Sequence, residues 1–244
     1  MMTNYETLQH RDFEIQICYH HDAMNPFDDW DGLPSIQANG GRHNFEYSSG
    51  EDIADYIESK ISYWQVIHHQ KALCEILDIP HEDLAGYTAD EKVDEIYSDI
   101  SSSNMSQLAQ LCEMFNIPHV HETQSYSRSN WADVLVVVTD TNIKEWGIHP
   151  KKAHENAESA ARLFENWASG EVFGYVVEDK DGEELDSCWG FYGNEHEKSG
   201  LMEYATNAID CHIHNKRKAR FEKLKTLIAE RVPHYLRTPI LNTI

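Results

Sequence analysis

The sequence predicts one α+β domain over residues 1–244, with a mostly antiparallel sheet, packing helices and a helical insertion at residues 50–117. Three observations support this fold class. Phe13, Ile15 and Ile17 alternate with Glu, Gln and Cys, as in a half-buried strand. Asp181-Gly182 separates two runs rich in β-branched and aromatic residues, which is typical of a β-hairpin. Apolar residues recur at helical spacing over several longer segments.

The first 41 residues are predicted to contain that one strand and otherwise loop. Residues 1–11 are polar, which indicates a loose terminus and no signal peptide. His20–Gly41 contains Asn-Pro, Asp-Gly, Leu-Pro and Gly-Gly pairs, which break regular structure. Calcium binding is one interpretation of its aspartates, but Phe27 and Ala38 stand where an EF-hand has its first and last ligands. The alternative is a solvated acidic loop, and the aspartates are Asp22, Asp28, Asp29 and Asp31.

The helical insertion is predicted to contain three helices. Ser48-Ser49 caps the first, whose inward apolar spacing includes Trp64 and continues to about Leu77. The second covers Ala89–Ile100. Asn104 caps the third, which ends at Ile117-Pro118 because the residue before proline disfavours helix.

The first and third helices end in similar sequences. CEILDIPH at Cys74–His81 and CEMFNIPH at Cys112–His119 match at five of eight positions, so a duplicated corner is possible. One interpretation is a zinc site from Cys74, His81, Cys112 and His119, although the C-x6-H spacing is unusual for zinc. The others are small buried cysteines near helix ends and a pair of DNA-binding corners, which too few cations flank. We predict no metal and no other cofactor.

The remaining elements follow from the same patterns. Val134–Val138 is apolar on both faces, which places its strand in the interior of a sheet. Strict alternation in the returning arm of the hairpin puts Trp189 and Phe191 on one face and Cys188 on the other. The expected elements are strands at His119–Tyr126 and Trp131–Thr139, a short helix to Gly147, a helix from Pro150 to Gly170, hairpin arms at Glu171–Glu178 and Glu184–Tyr192, and a final helix from Ser199 to before Pro233.

The hairpin carries the most distinctive motif of the chain. It comprises Gly170, Glu171, Val172, Phe173 and Gly174, then Asp186, Ser187, Cys188, Trp189, Gly190, Phe191, Tyr192 and Gly193. The motif resembles that of a widespread family of uncharacterised phage, prophage and plasmid proteins, which has no assigned biochemical activity. Two further blocks are similar to the family's, Asp22–Asp31 with its Asn-Pro and Trp-Asp, and Tyr126–Ala132. Asp31-Gly32-Leu33-Pro34 departs from the family's Asp-Asn-Leu-Gly. The resemblance implies a phage or mobile-element origin.

Charge is the main anomaly of the composition. Forty-two acidic residues face 20 basic ones, giving a formal net charge of −22. Residues 216–244 hold 8 Lys or Arg and 2 Glu, so the basic residues are concentrated at the C-terminal end. Such a surface repels phosphates and attracts basic partners, which argues against direct nucleic-acid binding. No apolar run reaches the length of a membrane span, and five cysteines in a chain of this length indicate a reducing cytoplasm, here that of a bacterial host.

We therefore expect a non-enzymatic acidic protein that binds a host protein, in its concrete form a DNA mimic that inhibits a restriction or other defence enzyme. Acids at i and i+4 share one helix face, so the predicted partner-binding residues are two helical sets. The alternatives are a small enzyme or metal-binding protein centred on residues 186–192 and the Cys/His corners, and a structural phage component. The two sets are Asp90, Glu91, Asp94 and Glu95, and Glu51, Asp52, Asp55 and Glu58.

Overall fold

The computed structural model describes residues 3–40, 45–127 and 130–233 and has an α+β fold with two antiparallel four-stranded sheets. This confirms the predicted fold class. The chain divides into two compact units, Met1–His21 with Val172–Ile244 and Asp22–Glu171. The single-domain organisation and the helical subdomain stay predictions.

The strands of the described residues come in consecutive pairs, which helices separate along the chain. A 3₁₀ turn at Pro150–Lys152 leads into the seventh helix. In order they are β1 (Asn4–His10), β2 (Phe13–Tyr19), α1 (Pro26–Asp29), β3 (Ser35–Gly40), β4 (Phe45–Ser49), α2 (Ile53–Lys60), α3 (Tyr63–Ile76), α4 (Ala89–Ser101), α5 (Met105–Met114), β5 (His119–Ser127), β6 (Asn130–Val137), α6 (Asp140–Lys144), α7 (Ala153–Ala168), β7 (Val172–Glu178), β8 (Glu184–Tyr192) and α8 (Leu201–Arg231).

The first unit is a sheet of order β1-β2-β7-β8 packed on the N-terminal half of α8. Alternate residues of β2 and β7 meet the buried helix residues Leu201, Ala205 and Ile209. The residues of α8 after His214 are mostly exposed, and the helix ends before Pro233 as predicted. The prediction of a loose terminus is wrong, because β1 pairs with β2. The side chains of β1 are mostly exposed, so backbone pairing holds a strand that lacks an apolar alternation.

The hairpin of β7 and β8 is confirmed, but the predicted faces of β8 are wrong. Phe173 lies opposite Phe191 and Gly174 lies opposite Trp189, so Gly190 is an extra residue in β8. Gly190 has a φ of +91°, which glycine adopts without strain, and this is the geometry of a β-bulge. The bulge moves Phe191 to the face of Cys188, which packs in the core under α8, and leaves Trp189 on the other face.

The second unit is a sheet of order β4-β3-β6-β5 with helices on both faces. Val134, Val136 and Val138 pack with α7, while Leu135 and Val137 pack with the helices from α2 to α5. These five residues have no exposed surface, which confirms the interior position of β6. The four helices α2 to α5 lie between β4 and β5 in the chain.

The predicted loop at His20–Gly41 is wrong in part, because α1 and β3 lie within it. Asn25 caps α1 by accepting a hydrogen bond from the Phe27 amide, so the Asn-Pro pair begins a helix. Strand β3 is short and pairs on both sides, with β4 and β6. Gly41 lies outside the described residues, as do Arg128 and Ser129 of the block that resembles the family's central motif.

The first predicted helix is in fact two helices, α2 and α3. Ser48 and Ser49 end β4, and Asp52 caps α2 by accepting from the Asp55 amide at 3.0 Å. The chain breaks at Ile61 and restarts at a capping box, in which the side chains of Ser62 and Gln65 each bond the other residue's backbone. Because α3 is a separate helix, its residues do not continue the apolar spacing of α2, and Trp64 points outward.

The repeated corners are two copies of one helix ending. Asp78 and Asn116 have φ values of +58° and +53°, and the Ile79 and Ile117 amides donate to the carbonyls of Cys74 and Cys112 at 2.9 and 2.8 Å. This is the six-to-one hydrogen bond of a Schellman motif, with an Asp or Asn in the left-handed position. The shared sequence therefore encodes how α3 and α5 end.

Gly174→Ala should lower the free energy of unfolding by about 1–3 kcal/mol, because a Cβ there would overlap Trp189 Cε3 and lie 2.7 Å from the Cys188 carbonyl oxygen. Urea unfolding measures the change. The cost should be smaller in a Trp189→Ala background, which removes the ring but not the carbonyl. Equal costs in the two backgrounds would show that Trp189 does not cover Gly174.

Candidate functional site

The four acidic residues predicted in α4 are exposed, as a binding surface requires. Asp90, Glu91, Asp94 and Glu95 occupy the first two turns, whereas Val93, Ile96 and Ile100 on the opposite side are buried. Asp94 and Glu95 make none of the ion pairs or hydrogen bonds found among the described side chains, so water is their partner in the free protein.

Hydrogen bonds orient the other two carboxylates. Glu91 forms a capping box with Thr88, whose amide and hydroxyl donate to Glu91 Oε2 at 2.7 and 2.9 Å. These bonds, first from the backbone and then from the hydroxyl, lower the pKa of Glu91. The Tyr63 hydroxyl donates to Asp90 Oδ1 at 2.8 Å, which raises the pKa of Tyr63. These bonds fix the start of α4 and hold both carboxylates in place.

An exposed tryptophan lies beside these acids. Trp64 is 75% exposed, and its ring meets the Tyr63 ring edge to face at a centroid distance of 5.3 Å. Tyr63 is in turn the hydrogen-bond partner of Asp90. Tyr87, just before α4, is 44% exposed. We name the surface of Tyr63, Trp64, Tyr87 and the four α4 acids the acidic-aromatic face.

The acidic set at α2 lies at the other end of α4. The Glu58 carboxylate accepts a weak hydrogen bond from Ser101 at 3.4 Å, and Ser101 is the last residue of α4. Glu51, Asp52 and Asp55 are exposed and Glu58 is half-buried. Asp52 is also the N-cap of α2. The structure therefore brings Glu58 of this set to the C-terminal end of α4, whereas the first set occupies the N-terminal end.

The lysine of α2 does not neutralise this set. Lys60 Nζ lies 2.7 Å from Asp140 Oδ2, and Lys144 Nζ lies 3.1 Å from the same oxygen. Hydrogen bonds from Lys60 and then Lys144 lower the pKa of Asp140 to about 2. Burial, together with the Asp140 charge, raises the pKa of Tyr56, whose hydroxyl donates to Asp140 at 3.3 Å.

The hairpin motif has structural roles at most of its positions. Gly170 ends α7 with a φ of +77°, and the half-buried Glu171 follows it. The Tyr175 hydroxyl donates to Asp186 at 2.7 Å, and the exposed Ser187 donates to Glu184 at 2.8 Å. Gly174, Trp189 and Gly190 form the bulge, and Tyr192 is half-buried.

The motif shows no catalytic arrangement in the part of the chain that the structure describes. Cys188 packs in the sheet core while Ser187 points to the opposite face. The hydrogen bonds of the described residues include none between a histidine ring and either side chain. His196 instead packs edge to face against Tyr5 and Phe173, and burial lowers its pKa. The enzyme alternative gains no support from this geometry.

The Cys/His corners do not assemble a metal site either. Cys74 and Cys112 are buried, and burial raises the pKa of both thiols, whereas His81 is exposed. The His119 ring bonds the Ile117 carbonyl at 2.9 Å. Within residues 3–40, 45–127 and 130–233, no three His, Cys, Asp or Glu side chains are grouped to hold a metal ion, and this includes the aspartates of residues 22–31.

The aromatic residues of the acidic-aromatic face, Tyr63, Trp64 and Tyr87, are not among the predicted binding residues. Trp64 was predicted to point inward with the first long helix, and it is exposed because α3 begins a new helix at Tyr63. The spacing Ser62-x-x-Gln65 is a capping-box signature, and it indicates in the sequence that a new helix begins at Tyr63.

Comparisons of the chain with protein-family models, curated proteins and solved structures gave no match. No helix among the described residues is both long and apolar enough to cross a bilayer. Fold and site thus define an α+β protein with an exposed acidic-aromatic face.

Asp140→Asn should lower the free energy of unfolding at pH 7 by about 1 kcal/mol or less, because solvent screens the half-exposed cluster with its two lysines. The folded pKa is depressed below its usual 3.8, so the stabilisation is present above that pH. It is lost as the pH falls through about 2. Urea unfolding of both proteins across this range measures it. Glu145→Gln, a nearby exposed acid, is the control and should change nothing.

Proposed function

We propose that this protein binds a basic surface of a partner protein through the acidic-aromatic face, and that it occupies there the place of DNA. The partner in this proposal is a bacterial nucleic-acid-binding enzyme, such as a restriction or other defence enzyme. The motif of the hairpin, with its resemblance to phage and plasmid proteins, supports a mobile-element origin. Five cysteines without disulfides support a reducing cytoplasm.

The observation that carries the proposal is a 75% exposed tryptophan beside carboxylates that lack cationic partners in the described chain. Exposed aromatic residues supply most of the binding energy at many protein interfaces, where Trp and Tyr are enriched. Unpaired carboxylates add electrostatic steering toward a basic surface. Asp90 and Glu91 also help to fix the start of α4, but the exposed Trp64 ring and the carboxylates of Asp94 and Glu95 have no such role, so a partner explains these best.

The spacing of the acids supports the comparison with DNA. Residues four apart lie about 6 Å apart along a helix, and the pairs Asp90–Asp94 and Glu91–Glu95 form two adjacent rows. Duplex DNA carries one charge about every 3.4 Å along each strand, so the rows have a repeat of the same order. Residues 50–117 as a whole contain 14 acidic and 3 basic residues, and Lys92, the basic residue of α4, forms none of the ion pairs found among the described residues.

Neutralising the α4 acids with Asp90→Asn, Glu91→Gln, Asp94→Asn and Glu95→Gln should slow association with the partner by about ten-fold or more. The Glu91→Gln change keeps a capping-box side chain, and the amide oxygen introduced by Asp90→Asn can still accept from Tyr63, so the fold should not change. The partner is first identified by capture from a bacterial lysate and mass spectrometry, then purified for kinetic measurement. Duplex DNA should compete for it, and affinity should fall steeply between about 50 and 200 mM salt.

The control carries the same change in charge at four exposed acids outside the acidic-aromatic face: Asp22→Asn, Glu46→Gln, Glu145→Gln and Glu155→Gln. It should associate nearly as fast as the unmodified protein. Equal slowing by both variants would assign the effect to net charge alone. A partner that DNA does not displace would contradict the mimicry.

Trp64→Ala should weaken partner binding by about 2 kcal/mol, or roughly 30-fold in Kd, and leave the free energy of unfolding within about 0.5 kcal/mol. Calorimetric titration and urea unfolding give the two values. Trp146→Ala, at a tryptophan that is 51% exposed and far from α3 in sequence, is the matched control for binding. If Trp64→Ala bound the partner with unchanged affinity, Trp64 would not belong to the binding site.

A further inference from the structure

A groove of about 740 Å³ lies in the unit Asp22–Glu171 between α5, β5 and α7. Four consecutive residues of β5, from His119 to Glu122, contribute to its wall. Successive side chains of a strand point to opposite faces, so a cavity on one face would be lined by every second residue. Helix α5 packs on one face of this sheet and α7 on the other. The groove therefore runs along the outer edge of β5, and we name it the β5 groove.

No second strand pairs with that edge among the described residues. Strand β5 is the last in the order β4-β3-β6-β5, and β6 is the strand that pairs with it among the described residues. An edge strand presents a row of unpaired backbone N–H and C=O groups. An added strand would lie about 4.8 Å from β5. Helices α5 and α7 would then flank it above and below, as they flank β5.

The walls of the groove are acidic and would favour a positively charged ligand. Four glutamates and one arginine line it, so it carries three net negative charges when its histidines are neutral. Burial raises the pKa of Glu165, the nearby Glu122 and Glu171 raise it further, and Arg162 lowers it by less. The acidic residues are Glu113, Glu122, Glu158 and Glu165.

We propose that the β5 groove binds an extended, lysine- or arginine-rich segment of a partner protein, which joins the sheet as a fifth strand beside β5. The backbone of the segment would bond the β5 edge, and its basic side chains would meet Glu113 on one side and Glu158 on the other. A second copy of this chain is disfavoured, because pairing two β5 edges would bring two sets of glutamates together. Nucleic acid is disfavoured because the same glutamates repel phosphates.

The test uses a fluorescent peptide of alternating lysine pairs and valine pairs as the probe, which presents lysines on both faces of an added strand, with fluorescence anisotropy on the full-length protein. The Glu113→Gln/Glu158→Gln variant should bind it at least ten-fold more weakly. Glu145→Gln/Glu155→Gln makes the same change in charge outside the groove and should bind normally. A peptide with alternate amides N-methylated keeps its charges but cannot pair along a strand, and it should lose binding. Amide hydrogen exchange at His119–Glu122 should slow when the unmodified probe binds.

Several outcomes would overturn the proposal. They are no saturable binding up to millimolar peptide, equal binding of the N-methylated peptide, and equal weakening by both double variants. Exchange protection that falls outside β5 would place the peptide elsewhere, and a dimer in sedimentation with β5 amides protected before any peptide is added would assign the groove to a second copy of the chain. The β5 groove shares no residue with the acidic-aromatic face, so a failure here leaves the function proposed for that face unaffected, and the reverse also holds.

Discussion

The burial of β6 on both faces is the constraint on which the larger unit depends. Val134 to Val138 have no exposed surface, and each face of the strand needs its own apolar cover. One face receives the alanines and Phe164 of α7, and the other receives the helices from α2 to α5. Helices on both faces leave the sheet open only along its edges. The acidic-aromatic face and the β5 groove both follow from that arrangement, since one lies on the outer side of the helix layer and the other along an edge.

The acidic residues of this unit lie outside the apolar core, and few basic residues of the same unit pair with them. The helices turn their apolar residues to β6, and their acids must then face solvent. Lys60 forms an ion pair with Asp140, so it does not neutralise the carboxylates at the start of α2. Exposed ion pairs contribute little to stability in any case, so the unpaired acids cost the fold little. Such acids are available for a partner, whose basic groups would be steered toward them during association.

The two most conspicuous patterns in the sequence turn out to specify backbone geometry. The Trp189-Gly190 pair makes a bulge in which the indole covers Gly174, and the repeated CE-x-x-[DN]-IP-H corner ends two helices with the same hydrogen bond. Cys188 precedes the first pattern, and Cys74 and Cys112 begin the two corners, and cysteines are typical nucleophiles and metal ligands. Cys74 and Cys112 are instead buried, and their carbonyls accept the hydrogen bonds that close the two helix ends. Distinctive residues at a turn are thus weak evidence of chemistry until the neighbours in space are known.

The sequence by itself determined the fold class, the hairpin, the interior strand β6 and the helices α4, α5, α7 and α8, because local periodicity and capping residues encode each of them. It also determined that the α4 acids face outward, since Val93, Ile96 and Ile100 fix the inward side. Tertiary structure decided the rest. Strand β1 has no apolar alternation and exists through its pairing with β2, and the one-residue bulge at Gly190 reversed the faces that alternation predicts. The outward turn of Trp64 and the position of β5 at an edge depend on a helix break and on strand order, which residues distant in the chain establish together.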